Sequence, residues 1–304
     1  MRIPILRRVP LGLIALGFFL PNLKGEEIIF AAYNVRNYLK MTRTVNDEPR
    51  KNSPKPDDEI AAVVNVIKTI QPDILGLIEM GDEADLQDLQ KRLKAVGLVY
   101  PHKEWMQGAD ETRHLCLLSR FPIVSRDSRG DIPIPINGRM ARFNRGILDV
   151  TVEFPTGYRL RCVGTHLKSR RPVPVYDEAE MRAKEAWFLR DHVMHILQDT
   201  PETNLLVFGD FNDSKNEYPI RTIVGRRGSA THLQALNLAD SRGELWTHFW
   251  KAADSYSRID YLMVNRALEP EIVPDKGGIV DAPFWDVGSD HRAIYTTIST
   301  EDIP

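Results

Sequence analysis

Side chains able to handle water, phosphate and a metal ion stand at the ends of apolar segments of this chain. The most informative segment is residues 204–213, N-L-L-V-F-G-D-F-N-D, whose central apolar run has the character of a strand buried on both faces. We expect Gly209 to break this strand. Asp210 and Asn212 flank Phe211, so an extended course would point both polar side chains to the same side. A simple turn built from good turn formers is the alternative interpretation.

Similar polar residues follow several other strand-like runs. They are Asn34, Glu79, His166, Asp260 and the triplet Ser289-Asp290-His291. A single carboxylate or histidine in such a position is usually a cap or a solvated group. Catalytic and ligand-binding groups also collect at strand ends, where the strand fixes the backbone and the loop leaves room for substrate. The joint occurrence of these residues therefore favours a functional site.

Phosphoester hydrolysis would use this set of residue types. The reaction needs an activated water, neutralised phosphoryl charge and a stabilised leaving oxygen. Carboxylate and amide oxygens without cysteine favour a hard cation, Mg²⁺ with Mn²⁺ as the alternative, over zinc. We predict Glu79, Asp290 and Asn34 as its ligands. Asp210, assisted by Asn212, is predicted to activate the water.

Two histidines have predicted catalytic roles. His291 could be oriented by Asp260 as a carboxylate–imidazole pair, and His166 could donate to the scissile phosphate. By contrast, His192 and His195 lie three residues apart in a predicted helix, and we interpret them as flanking residues rather than a metal pair.

The elements that must position these groups alternate between helix and strand patterns. Asp57 or Asp58 is predicted to cap a helix that ends before Pro72, and Asp177 a long helix that ends near Leu197. The inner stripe of the long helix is predicted to consist of Ala179, Ala183, Ala186, Val193 and Leu197. Strands with buried runs and with period-two alternation complete the pattern, which indicates layered α/β with sheets inside and helices outside. Residues 147–154 alternate, which predicts a half-buried strand.

The first 25 residues have the features of a secretory signal peptide. Arg2, Arg7 and Arg8 precede an apolar run too short to span a bilayer, and Gly25 offers a cleavage point. We therefore expect a secreted or periplasmic protein with a single domain over residues 26–304, and an uncleaved membrane anchor is the alternative. Cys116 and Cys162 lie in apolar runs and are interpreted as core residues, with a disulfide left open.

The net charge excludes a strong global attraction to polyanions. The formal charge is −2, and removal of the signal would take away four further positive charges. Binding to nucleic acid would therefore depend on local basic clusters, although charged loops are usually only solvated. The clusters are Lys40/Arg43, Arg139/Arg142/Arg145, Arg170-Arg171 and Arg226-Arg227.

Six short motifs in order resemble the endonuclease/exonuclease/phosphatase superfamily. They are Asn34, Leu77-Ile78-Glu79, Thr165-His166-Leu167, Gly209-Asp210-Phe211-Asn212, Arg258-Ile259-Asp260-Tyr261 and Ser289-Asp290-His291. The resemblance implies a four-layer α/β sandwich with the site at one end of two packed mixed sheets. It also implies that Glu79 binds Mg²⁺, that Asp210 and Asn212 handle water and phosphate, and that Asp260 pairs with His291. Ile78 departs from the family, which often has Gln there.

The resemblance identifies the reaction better than the substrate. The stretch His166-Leu167-Lys168-Ser169 is similar to that of secreted bacterial nucleases, so we predict Lys168, Arg170 and Arg113 as substrate-binding residues and nucleic acid as the substrate. A phosphatase or a phospholipase-C-like diesterase acting on lipid head groups or small organic phosphates is the alternative. A sphingomyelinase should show an exposed aromatic hairpin, and none is clear, although Trp246, Phe249 and Trp250 are candidates. A catalytically silent binding module is the third interpretation. We expect a monomer without a protein partner.

Overall fold

Two six-stranded mixed β-sheets pack face to face between two layers of helices, as the computed structural model of residues 25–303 shows. The predicted four-layer α/β sandwich is confirmed. The predicted export signal lies outside the described residues, apart from Gly25. None of the helices within residues 25–303 is both long and apolar enough to cross a bilayer.

Eighteen strands and five α-helices form the described part of the chain. The strands are β1 (Glu27–Tyr38), β2 (Met41–Val45), β3 (Glu48–Ser53), β4 (Ile74–Met80), β5 (His102–Met106), β6 (His114–Ser119), β7 (Ile123–Arg126), β8 (Pro133–Ile136), β9 (Arg139–Arg142), β10 (Ile147–Glu153), β11 (Arg159–His166), β12 (Leu205–Asp210), β13 (Gln234–Ala235), β14 (His248–Trp250), β15 (Ser255–Ser257), β16 (Asp260–Val264), β17 (Ile272–Ile279) and β18 (Ile294–Ser299). The helices are α1 (Asp57–Ile70), α2 (Glu83–Ala95), α3 (Glu178–Asp199), α4 (Tyr218–Val224) and α5 (Trp285–Gly288).

The first sheet has the order β17-β18-β1-β4-β6-β5, and the second has the order β13-β16-β12-β11-β10-β7. In each sheet a central parallel pair, β1–β4 or β11–β12, is flanked by antiparallel strands. Three two-stranded ribbons, β2–β3, β8–β9 and β14–β15, lie outside the sheets. The strands that carry the predicted site residues are therefore mostly central, where neighbours on both sides fix their register.

The ring of Phe208 of β12 packs in the core between the two sheets. Its ring lies edge-to-face against Phe30 of β1, with centroids 5.2 Å apart. Gly76 of β4 and Gly164 of β11 face the same ring, and a Cβ at either position would overlap it. The two glycines thus allow the sheets to approach each other around one large aromatic side chain.

The first outer layer consists of α1 and α2 packed on the first sheet. Helix α1 ends before Pro72, as predicted. The predicted cap of α1 is wrong, because Pro56 occupies the N-cap and no side chain caps the helix. Asp57 and Asp58 instead lie in the first turn, where their charges favour the positive end of the helix dipole.

The second outer layer contains α3, whose buried face differs from the predicted stripe. Ala179 is exposed and Ala183 is only half-buried, whereas Arg182, Glu185 and Arg190 are buried together with the expected apolar residues. An apolar periodicity could not reveal these positions, because their charges are satisfied by polar groups of neighbouring loops.

The strand predicted to be half-buried, β10, is covered on both faces. Its apolar side chains enter the core between the sheets. On the other face Asp149 is fully buried and accepts hydrogen bonds from Arg161 (2.8 and 2.7 Å) and from His192 of α3 (2.7 Å). The prediction of a solvated face is therefore wrong, because ion pairing allowed a carboxylate to be buried beneath a helix. His192, which was interpreted as a flanking residue, is mostly buried and pairs with Asp149.

The two cysteines are free and fully buried, Cys162 in the core between the sheets and Cys116 in the core beneath α1 and α2. Their interpretation as core residues is confirmed. Burial raises the pKa of both thiols, which keeps them protonated.

Candidate active site

The polar residues predicted from sequence meet at one end of the sandwich, around a cleft of about 660 Å³. The predicted residues that line the cleft are Glu79, Arg113, His166, Lys168, Asp210, Asn212, Asp290 and His291. Asn34 and Asp260 lie directly behind it, in contact with Asp210 and His291 respectively. Arg170 does not line the cleft.

The end of β12 differs from the prediction in its backbone. Gly209 does not break the strand, since it pairs with Thr165 on one side and Tyr261 on the other. A glycine is needed because φ is +152° and a Cβ would collide with the carbonyl oxygen of Thr165. Asn212 then adopts a left-handed conformation, φ +50°, and its backbone N–H donates to Asp210 Oδ1 at 2.9 Å.

Asp210 is the centre of the polar contacts in the cleft. Its Oδ2 accepts a hydrogen bond from Asn34 Nδ2 at 3.1 Å and lies 3.5 Å from His166 Nε2 and 3.7 Å from His291 Nε2. Burial raises the pKa of Asp210 to about 7, with His291 opposing the shift and Asp260 adding to it. A carboxylate in this condition can accept a proton near neutral pH.

His291 is held in place by an acidic partner and by its own backbone. Its Nδ1 lies 2.9 Å from Asp260 Oδ2, and Thr247 Oγ1 donates to the same carboxylate oxygen at 2.7 Å. The backbone N–H of His291 donates to Ser289 Oγ, whose hydroxyl donates to the carbonyl of Asn34. Burial alone would lower the pKa of His291, but Asp260 and Asp210 outweigh it and raise the pKa to about 10. His291 is therefore an imidazolium at neutral pH.

The pKa of His166, at the end of β11, is shifted in the opposite direction from that of His291. Burial, followed by the nearby charges of Arg145 and His291, lowers its pKa well below the usual value. Among residues 25–303 no group hydrogen-bonds to its buried Nδ1. The neutral ring can donate or accept a hydrogen bond but carries no charge.

Glu79 enters the cleft from β4 on a strained backbone. Its φ is +65°, a conformation that costs a non-glycine residue energy. Its Oε2 accepts a hydrogen bond from the backbone N–H of Asn37 at 2.9 Å, while its Oε1 lies 3.9 Å from Arg113 Nε, beyond hydrogen-bond distance. One carboxylate oxygen of Glu79 is thus oriented and the other faces the cleft.

Asp290 also presents its carboxylate to the cleft. Arg36 Nε and His248 Nε2 lie 3.7 and 4.0 Å from its Oδ2. Two nearby clusters have possible ligand atoms within 4.8 Å of one another, His248–Asp290–His291 and Asp210–Asp260–His291. Both include His291, whose Nδ1 already pairs with Asp260.

The motif series and the architecture agree with a family model. A model of the Endonuclease/Exonuclease/phosphatase family matches residues 31–291. The chain belongs to this family. Membership of the endonuclease/exonuclease/phosphatase family implies metal-dependent phosphoester hydrolysis. No curated protein sequence matches this chain.

Solved structures have the same fold at low sequence identity. An endonuclease/exonuclease/phosphatase from Bacteroides vulgatus is 17% identical with a TM-score of 0.64, and the match covers 91% of this chain and 100% of that one. The human nocturnin catalytic domain is 18% identical with a TM-score of 0.63, covering 90% and 94%. TDP2 of D. rerio, in complex with a single-strand DNA product, is 19% identical with a TM-score of 0.58, covering 89% and 98%.

The donor chemistry of the cleft fits the divalent cation that this endonuclease/exonuclease/phosphatase fold implies. Glu79 Oε1 and the carboxylate of Asp290 are anionic oxygens that no side-chain hydrogen bond within residues 25–303 engages. Such oxygens suit a hard cation. Asn34, the third predicted ligand, is engaged instead: its Oδ1 accepts from the Arg36 backbone N–H at 3.0 Å.

The predicted substrate-binding residues occupy three different environments. Arg113 lines the cleft beside Glu79. Lys168 also lines it, but its Nζ donates to the carbonyls of Ser169 and Arg171 at 2.9 and 2.8 Å. Arg170 forms an ion pair with Asp213, which also binds Arg182 of α3. Arg113 is therefore the one of the three that lines the cleft without donating to backbone carbonyls.

Several cleft residues were not among the predicted site residues. They are Arg36, Asn144, Arg145, Arg171, Tyr176 and His248. Arg145 belonged to a basic cluster visible in the sequence, and its Nη2 lies 3.2 Å from Asp110. Arg171 belonged to another of these clusters, Arg36 lies in β1 and His248 begins β14. Asn144 and Tyr176 lie on connections, where no periodic pattern marks them.

The buried Glu185 of α3 ties two of these loops together. Its Oε1 accepts hydrogen bonds from the backbone N–H and the side-chain amide of Asn144 at 3.0 and 3.1 Å, and its Oε2 accepts from the Lys168 N–H at 2.5 Å. Arg182, on the same face, donates to the Lys168 carbonyl and to Asp213. Helix α3 thus holds the segments that follow β11 and β12 in one arrangement.

Proposed function

We propose that this protein is a nuclease that cleaves phosphodiester bonds with Mg²⁺, or Mn²⁺ as the alternative, by an activated water. The observation that carries the proposal is the convergence of Asn34, His166 and His291 on Asp210, inside a cleft also lined by cations. TDP2 of D. rerio, which shares the fold, is described with a single-strand DNA product. Nucleic acid is therefore the substrate class that we propose.

Each side chain of the site has a separate role in the proposed reaction. Asp210 takes a proton from the attacking water as the new P–O bond forms, and the bond to the leaving oxygen breaks while that oxygen takes a proton from solvent water. The His291 imidazolium donates a hydrogen bond to a phosphoryl oxygen, and Asp260 keeps its charge in place. The neutral His166 donates a second one. A divalent cation held by Glu79 and Asp290 would neutralise charge on the phosphoryl oxygens.

A substrate panel tests the proposal. Duplex DNA, single-stranded DNA, RNA, sphingomyelin and inositol phosphates are incubated with Mg²⁺, with Mn²⁺ and with chelator. We expect cleavage of at least one nucleic acid that requires the metal and is lost in His291→Ala. Intact nucleic acid with every metal would reject the nuclease.

A phospholipase-C-like or phosphatase activity is the second candidate, and one feature of the structure favours it. The ribbon β14–β15 starts at His248 in the cleft and exposes Trp250 and Tyr256, which are 59% and 58% accessible. Phe249 stacks on Tyr256 with ring centroids 4.6 Å apart. Phe249 and Trp250 were candidates for an exposed aromatic hairpin, and both lie on this ribbon. Release of phosphocholine or phosphate in the same panel, with nucleic acid intact, would select this candidate.

We propose further that residues 1–25 direct export and are cleaved, and that the mature protein is a secreted or periplasmic monomer. The arginines ahead of a short apolar run support the proposal. Mass spectrometry of the protein recovered outside the cytoplasm should give a mature chain beginning near Glu26, and size-exclusion chromatography should give one chain per particle. An intact N-terminus in the membrane fraction would favour the anchor.

A further inference from the structure

A pair of left-handed residues follows Asn34 near the end of β1. Arg36 has φ +45° and Asn37 has φ +53°, although neither is glycine. Such conformations persist where the surroundings impose them. The turn touches the predicted metal ligands: the Arg36 N–H donates to Asn34 Oδ1 at 3.0 Å, and the Asn37 N–H donates to Glu79 Oε2 at 2.9 Å.

Two cations hold the carbonyl oxygens of this turn. Lys55 Nζ donates to the Arg36 carbonyl at 3.0 Å. Arg43 Nη2 donates to the carbonyls of Asn37 and Leu39 at 2.7 and 3.2 Å. Both side chains come from the exposed ribbon β2–β3 or the segment that leaves it, and neither lines the catalytic cleft.

The burial of Lys55 indicates a specific role. Its side chain is 1% accessible, and besides the Arg36 carbonyl it contacts Glu59 of α1 at 3.0 Å. Burying an ammonium group is costly unless its donors are satisfied, so these two contacts define its position. Without Lys55 the Arg36 carbonyl would lose this partner, and without Arg43 the Asn37 carbonyl would keep only the Leu39 N–H at 2.8 Å. The Arg36 carbonyl and the Asn37 N–H belong to the same planar peptide, so a rotation of this peptide would move the N–H relative to Glu79.

We propose that Arg43 and Lys55 are positioning residues for the metal site: they fix the left-handed turn at residues 36–37, which orients the Glu79 carboxylate toward the cation. The inference rests on the proposed role of Glu79 as a metal ligand. It gives the ribbon β2–β3 a function, which is to support the site from outside the cleft. Groups that orient a ligand in this way commonly change metal affinity by 10–100-fold when removed.

The test measures Mn²⁺ binding to the folded protein by electron paramagnetic resonance, independently of turnover. Arg43→Met and Lys55→Met should each weaken binding by about tenfold or more. The matched controls Arg50→Gln and Lys51→Met remove charges from the same ribbon, and no side-chain hydrogen bond or ion pair within residues 25–303 is lost with them. The controls should bind Mn²⁺ within about twofold of the unmodified protein, since bound-ion affinity changes little when only distant exposed charge is lost.

Glu59→Gln separates positioning from ion pairing. It breaks the pair with Lys55 but leaves the Lys55–Arg36 carbonyl contact, so it should weaken Mn²⁺ binding much less than Lys55→Met. Equal losses in these two variants, or normal binding in both Lys55→Met and Arg43→Met, would overturn the inference. If circular dichroism finds a methionine variant unfolded, Lys55→Gln and Arg43→Lys replace it, with the same expected order.

A separate variant distinguishes failure of this inference from failure of the metal assignment. Glu79→Gln should abolish most Mn²⁺ binding. If Glu79→Gln binds Mn²⁺ like the unmodified protein, both the proposed metal site and the positioning role of Arg43 and Lys55 are wrong. If Glu79→Gln binds weakly while Arg43→Met and Lys55→Met bind normally, only the positioning role is wrong.

Discussion

Asp210 accepts a hydrogen bond from Asn34, lies close to two histidines and has a pKa raised to about 7 by burial. Replacing it with Asn keeps the shape of the side chain but removes the proton acceptor. We expect Asp210→Asn to lower kcat by about 10²–10⁴ with little change in folding. Asp199→Asn, an exposed change at the end of α3, is the control. If Asp210→Asn retains more than about a tenth of the activity, the assigned role of Asp210 is wrong.

Glu185 predicts a pH dependence of stability. Burial raises its pKa from 4.5 to about 7. The folded protein therefore holds a proton that the unfolded chain releases between these values, so stability falls as pH rises through this window. As the pH rises from 5 to 8, the unmodified protein should lose stability that Glu185→Gln keeps. We expect the free energy of unfolding of Glu185→Gln to rise by on the order of 2 kcal/mol relative to that of the unmodified protein over this range. Urea unfolding of both proteins at pH 5 and at pH 8 measures these free energies. The same difference between the two proteins at both pH values would contradict the prediction.

The residue types of the site could be predicted, but their complete set could not. His166, Asp210 and Asp260 lie at the ends of strands whose apolar character is visible in the sequence, so their convergence follows from the sheet. Arg145 lies on a connection and His248 begins a strand of three residues, which is too short for a periodic pattern. Their arrival at the cleft depends on contacts far apart in sequence, such as that between Asn144 and Glu185.

At the scale of elements, β4 and β12 pack through a glycine and an aromatic ring. A Cβ on Gly76 would overlap the ring of Phe208, which has no free space in the core. We expect Gly76→Ala to destabilise the protein by about 1–3 kcal/mol, as overpacking usually does. Chemical denaturation should also find that Phe208→Leu recovers part of this loss in the double variant. Strictly additive effects of the two changes would contradict the contact.

The strands and helices with long apolar patterns were predictable, and the short ribbons were not. The central strands of both sheets and helices α1 to α3 have a periodicity that burial enforces. The ribbon β2–β3 is exposed along most of its length, so its sequence carries no apolar signal that would predict a hairpin. The strands of β14–β15 have three residues each, which is too short for a periodic pattern.

At the scale of the whole molecule, the cleft of a chain whose formal charge is −2 is lined by five cationic side chains beside four carboxylates. The cations that line it are Arg36, Arg113, Arg145, Lys168 and Arg171. Binding of single-stranded DNA to the Asp210→Asn variant should therefore weaken steeply with salt. Arg113→Gln should reduce the slope of log affinity against log salt by about 0.7. Fluorescence anisotropy measures this, and Arg266→Gln, an exposed change at the far end of β16, should leave the slope unchanged.

The pairing of β1 with β18 brings two segments more than 250 residues apart into one sheet, with Glu27 opposite Ser299. Because Ser289 and His291 lie just ahead of β18, synthesis of the chain delivers these catalytic groups after nearly every other part of the site. A ribosome-bound chain that has exposed only its first two hundred residues would hold Asn34 and Glu79 without their partners. The cleft would thus be complete only late in translation, once β18 has paired with β1.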